Sequence, residues 1–186
     1  MNNTIFVSGF FNDSDLQDLN ELKEELSEYE IALRMRNLLG GIYNSALDFA
    51  DLEIIAFAYE MMKQFIYSGG YDVLKYFIVN IWYKINKSKN VPFTIGINGI
   101  PTVNGPENIK CKISEQLSKK QREIVIDRTF ELAKQIEEHQ FELQKRSLYY
   151  DAFDAHLFRF DSTDETLKAI DVADEVRKKT QRDSKQ

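Results

Sequence analysis

Four cations sit at spacings that would let them act together. In YEIALRMR, Tyr29, Ile31, Leu33 and Met35 alternate with Glu30, Ala32, Arg34 and Arg36. Later, Ile109, Cys111 and Ile113 alternate with Lys110 and Lys112. A period of two sends successive side chains to opposite faces of a strand, so each segment reads as a half-buried strand with its cations pointing outward. If the two strands are neighbours, Arg34, Arg36, Lys110 and Lys112 share one sheet face with Thr94. Such a face would receive a carboxylate, a phosphate or an acidic partner segment. The plainer reading is that outward positions of an open sheet carry charge for solubility.

The other chemistry-bearing residues point less far. The two histidines are His139 and His156. His156 follows Asp151 and Asp154 and precedes Asp161, a run with metal-ligand residue types. On a helix, however, Asp151 and Asp154 share a face that His156 does not, so a solvated acidic segment is the expectation and no metal is assigned. His139 falls on the inner stripe of a long helix, as a satisfied side chain. Cys111 is the only cysteine. It excludes an internal disulfide and a cysteine-based zinc site, and its place on an apolar strand face implies an inert thiol. GINGIPTVNG is glycine-rich but lacks the following helix and Lys-Ser/Thr of a phosphate loop. Asp48, Asp51 and Glu53 are the one carboxylate group that would serve an unrecognised enzyme, although acids at a helix start are what the helix dipole favours anyway. No nucleophile–base pair is evident, no catalytic residue is assigned and no cofactor is expected.

These residues need elements to hold them. Ile5–Phe10 reads as a first strand, and Ser14 as the cap of a helix whose inward stripe is Leu16, Leu19, Leu22 and Leu26. YEIALRMR follows as a second strand, and 37–50 as a loop. Asp51–Ile85 is the apolar centre of the chain. It reads as two helices, 51–67 and 71–85, broken at Ser68-Gly69-Gly70, with the glycines supplying a C-cap. VPFTIGI reads as a strand, Asn98-Gly99 as a type I′ hairpin turn, and Ile109–Ile113 as the last strand. Ser118 and Gln121 have capping-box spacing and open a helix extending toward Tyr150. No internal repeat is evident.

The implied fold class is α+β, a small mixed sheet with helices mainly on one face, plus a long C-terminal helix and a helical tail. A compact body would span 1–148. Residues 149–186 would form an extension with a short helix opened by Ser162 and Glu165. Its large rings, Tyr149, Tyr150, Phe153, Phe158 and Phe160, would either fold back on the body or anchor a partner.

Composition bounds the function classes. The 186 residues carry 43% hydrophobic and 12% aromatic side chains, enough for a core, so global disorder is excluded. A net charge of −6 disfavours a broad nucleic-acid footprint, which relies on clustered Lys and Arg. No apolar run is long enough to cross a membrane and no signal peptide is evident, so a cytoplasmic location is the expectation.

The layout resembles that of the effector-associated constant components, small bacterial domains. The resemblance is carried by FAYEMMKQFIYSGGYDVLKYFIVNIW, with its glycine pair between apolar helices and Trp82 near the end, followed by a basic linker and VPFTIGI. It covers roughly Ile5 to Ile113 in order of elements. It implies a recognition or adaptor component of a bacterial conflict or signalling system, and it brings no catalytic residues. The sequence therefore points first to a non-catalytic domain with a protein partner, self-associating through the long helix and tail. A small-molecule or anion sensor using the cationic face is the alternative.

Overall fold

A computed structural model describes residues 3–38, 53–86, 93–113, 117–145 and 154–171. Its elements are β1 (Asn3–Gly9), α1 (Asp13–Ser27), β2 (Ile31–Asn37), β3 (Glu53–Ala58), α2 (Tyr59–Tyr67), α3 (Tyr71–Asn86), β4 (Phe93–Ile100), β5 (Glu107–Ile113), α4 (Lys119–Glu137), β6 (His156–Asp161) and β7 (Thr166–Ala169). They form an α+β fold on one seven-stranded mixed sheet, ordered β2-β1-β3-β4-β5-β6-β7.

The connections explain that order. β1 and β2, β3 and β4, and β5 and β6 are parallel pairs. Parallel neighbours require a crossover, and the helices supply it: α1 for the first pair, α2 with α3 for the second, α4 for the third. Antiparallel pairing of β1 with β3, β4 with β5, and β6 with β7 joins the units into one sheet.

One face of the sheet carries the core. Ile5, Val7, Leu33, Ile55, Phe57, Ile95, Ile97, Ile109, Cys111, Phe158 and Phe160 are buried with the apolar stripes of the helices in a single cluster. Phe57 meets Phe130 of α4 edge-on at 5.6 Å, and Trp82 of α3 stacks on Phe93 at 4.6 Å. The expected alternation of β2 and β5 and the inward stripe of α1 are all found.

Several expectations are corrected. The first of the two central helices is a strand followed by a helix: Ile55 and Phe57 face the core, and β3 runs directly into α2 at Ala58. A strand flanked on both sides in mid-sheet reads as a continuous apolar run, which also matches helical spacing. The cap of α1 is Asn12, not Ser14; its side chain accepts from the Asp15 N–H at 2.8 Å while Asp15 accepts from the Asn12 N–H at 3.1 Å. Asn98-Gly99 is not the hairpin turn. β4 continues through it with a register shift between Ile97 and Ile100, and Gly99 at φ 75° serves that irregularity. The Ser118–Gln121 capping box is present, but α4 stops at Glu137. His139, at φ 57°, ends it in a Schellman arrangement, with the His139 N–H donating to Ile136 O and the Gln140 N–H to Gln135 O.

The expected tail is also different where it is described. β6 and β7 pair onto β5 within the same sheet, and the stretch after Ser162 is a turn leading to β7 rather than a helix. Phe158 and Phe160 accordingly point into the core, each 2% exposed, and do not project toward a partner. Tyr149, Tyr150 and Phe153 lie outside the described residues, as do Asp48, Asp51 and the 39–52 segment.

Candidate functional site

The pairing register places Arg34, Phe6, Ala56, Gly96 and Lys110 in one transverse row across β2, β1, β3, β4 and β5. The next row holds Arg36, Ser8, Ile54, Thr94 and Lys112, and it continues to Arg159 and Lys168. All four expected cations thus lie on the face away from the helices. Their strands are not neighbours, however: β1, β3 and β4 intervene. Four steps of interstrand spacing put β2 and β5 roughly 19 Å apart.

That separation creates a groove. The residues midway are small, Ala56 and Gly96, and a Cβ on Gly96 would sit only 3.3 Å from the Ala56 Cβ. The resulting depression, about 620 Å³, has Phe6, Ile54 and Ala56 in its lining, with Arg34 and Arg36 toward one side and Lys110 toward the other. Asp154 is the one acid among the described residues of its lining. Phe6 is 49% exposed on this face, and the Arg34 guanidinium lies 5.8 Å from the centre of its ring. The face is not open throughout: Thr94, expected among the accessible residues, is 2% exposed, and Leu157 is buried as well. Its exposed part is centred on β1 and β2.

A second depression lies at one end of the sheet, where the β4–β5 turn meets the end of α4 and the start of β6. It measures about 820 Å³, and both histidines line it. Glu107 opens β5 and His156 opens β6. Their side chains are 8% and 11% exposed, with His156 Nε2 3.3 Å from Glu107 Oε2. Both follow the inward phase of their strands, Glu107 with Ile109 and Cys111, His156 with Phe158 and Phe160. An acid in step with apolar neighbours was the sequence signal for this site, and it was not singled out. His139, expected to be partly buried, is exposed on the rim. Asp161 turns away from His156, its carboxylate 2.6 Å from Lys168 Nζ. Among the described residues no group of three His, Cys, Asp or Glu side chains converges as a metal site.

No known protein family, curated protein or solved structure matches this chain.

A third polar arrangement lies within the apolar centre of the chain. Contrary to the expectation of no internal repeat, YEMMKQFI at Tyr59–Ile66 and YDVLKYFI at Tyr71–Ile78 form a short one. Each copy starts a helix with Tyr and places Lys one turn later, and each Tyr–Lys pair grips one carboxylate of α4. Tyr59 and Lys63 hold Glu137 at 2.6 and 2.5 Å. Tyr71 and Lys75 hold Asp127, the lysine at 2.7 Å. Burial and the carboxylate push both phenols well above the ordinary tyrosine range. A tyrosine so held is a poor base, so the pairs act as clamps fixing α2 and α3 to α4. Cys111 is likewise inert: burial raises its thiol to about 12, despite an opposing hydrogen bond with Thr129. No described helix is long and apolar enough to cross a membrane.

Proposed function

We propose that this protein is a non-catalytic interaction domain whose exposed sheet face takes an acidic, partly apolar segment of a protein partner. The observation that carries the reading is the row Arg34–Phe6–Ala56–Gly96–Lys110, cations at its ends and small or apolar residues between. A channel of roughly 19 Å accommodates a helix of 10–12 Å diameter or a pair of extended strands. In a chain of net charge −6, the described residues of the groove's lining include three cations, Arg34, Arg36 and Lys110, and one acid, Asp154. Charge complementarity of this kind selects partners and speeds their encounter. A role as adaptor in a bacterial conflict or signalling system agrees with the resemblance in the central stretch. The groove is also of small-molecule size, so a sensor of a small anionic ligand is the second reading.

The test is fluorescence anisotropy with a labelled peptide of alternating Glu and Leu. Salt-sensitive binding is expected, weakened about tenfold or more in an Arg34→Glu, Lys110→Glu double variant. Equal binding of a Lys/Leu peptide, or no loss in the variant, rejects the reading. Binding of inorganic phosphate or citrate in place of the peptide favours the sensor. Light scattering at several concentrations shows whether the partner is a second copy.

A further inference from the structure

We infer that the occupant of the cationic groove is a second copy of this chain, which offers it the acidic, tyrosine-bearing surface of α1 and α3. The inference rests on reading the groove as a site for an acidic segment, and it names that segment. Residues 13–30, α1 and the turn after it, are described throughout. Glu21, Glu24, Glu25, Glu28 and Glu30 are exposed there, and Lys23 is the stretch's one cation. The acids turned toward α3 are engaged within the molecule, Lys84 lying 3.5 Å from Asp18 and 4.0 Å from Glu21. Among the described residues Glu25, Glu28 and Glu30 pair with no cation. Apolar surface adjoins these acids. Tyr29, between Glu28 and Glu30, is 48% exposed, and Tyr76 of α3 is 57% exposed. Both rings stand edge-on to the buried Phe77, at 5.3 and 5.5 Å between centres, and so form one patch.

The sheet face is the complement of that patch. Phe6 is half exposed on it, with the Arg34 guanidinium over its ring and Arg36 in the next row. A guanidinium between a ring and a carboxylate is held from both sides, by a cation–π contact and by charge-assisted hydrogen bonds. Asp154 precedes β6 and so lies across the groove from β2 and its two arginines. A channel of roughly 19 Å admits a helix of about 10–12 Å diameter, with its glutamates toward the arginines and the tyrosine patch on Phe6. The positions of the two surfaces fix the form of the assembly. The helices cover one face of the sheet and the groove lies on the other, so the acidic surface and the groove point in opposite directions. Two molecules cannot make the contact reciprocally; it is heterologous and repeats head to tail.

Sedimentation velocity on the full chain is the test. The parent should gain mass with concentration and lose it as salt is raised, because the contact joins opposite charges. Two double variants each reverse one side: Arg34→Glu with Arg36→Glu in the groove, and Glu25→Lys with Glu28→Lys on α1 and its C-cap. Each alone sets like charges against each other and should associate about tenfold or more weakly than the parent. All four positions are exposed, and circular dichroism checks that the fold is kept. Should one variant not fold, the other still carries the test. An equimolar mixture of the two should recover association, since each acidic surface again meets a cationic one. The inference is overturned if the parent stays monomeric at every concentration, if either folded variant associates like the parent, or if the mixture is as weak as its components. A monomer that still binds the Glu/Leu peptide keeps the groove as a site for an acidic segment and rejects a second copy as its occupant.

Discussion

The Tyr59 hydroxyl donates to Glu137 Oε2 at 2.6 Å, joining the first residue of α2 to the last residue of α4 across 78 positions of sequence. Twelve residues later Tyr71 repeats the gesture toward Asp127, ten residues earlier on the same helix. The two helices of the β3–β4 crossover are thereby fixed against α4 by equivalent side chains, and the sheet behind them is held in one arrangement.

The two clamps should differ in strength. Glu137 is 23% exposed and Asp127 43%, so water competes more effectively at the second. Tyr59→Phe is expected to cost about 1.5–3 kcal/mol, the range for a hydrogen bond to a charged group, and Tyr71→Phe less. Urea denaturation measures both. A double-mutant cycle of Tyr59→Phe with Glu137→Gln should show coupling; additive losses would mean that the contact is not an energetic one.

Glu137 also predicts an acid dependence. Burial alone would raise its carboxyl, but hydrogen bonds from Lys63 and Tyr59 outweigh burial and hold it below its ordinary value of 4.5. A carboxyl depressed in the folded state contributes stability above its unfolded value, and the contribution is lost as pH falls through the folded value. Asp161 and Asp164, held low chiefly by Lys168, act in the same direction. The parent should therefore lose stability more steeply than Glu137→Gln as pH falls below about 4.5. Parallel thermal unfolding curves over that window would contradict the assignment.

Gly69 sits at φ 75° and ends α2, its N–H donating to Ile66 O while that of Gly70 donates to Phe65 O. Nothing lies within 4 Å of a Cβ added at Gly69, so the requirement there is conformational and not steric. Gly69→Ala should cost about 1–2 kcal/mol, the usual penalty for the left-handed region, and Gly69→Asn less because asparagine visits it more readily. Thermal melts rank the two; equal losses would point to crowding instead.

These cases show what the sequence made legible. Alternation in IALRM and IKCKI gave β2, β5 and the shared face of Arg34 and Lys110, because a period of two fixes side without knowing neighbours. It could not give strand order, which follows from three crossovers, and so the cations were expected side by side instead of flanking a groove. In EIIAFA, Ile54 and Ala56 carry no charge on the second face, and the strand merged into the helix that follows it. The glycine pair between helices was legible because a C-cap is a local requirement. The pairing of Glu107 with His156 was not legible, since it depends on β5 and β6 being adjacent although they lie far apart in sequence; only the phase of Glu107 with Ile109 hinted at it.

The rings of β6 provide the remaining prediction. Phe158 pairs across to Cys111 on one side and Ala169 on the other, and Phe141 meets its ring edge-on at 5.8 Å. A partner anchor would be dispensable for folding, whereas a ring 2% exposed in the core is not. Phe158→Ala should cost about 3–5 kcal/mol, through lost transfer energy and the cavity left behind. Truncation after residue 148 should be more severe, since it leaves β5 as an unpaired edge and removes both Phe158 and Phe160 from the cluster. Urea midpoints and circular dichroism read both changes. A truncated chain that melts like the parent would return these residues to the role of an appended, partner-seeking segment.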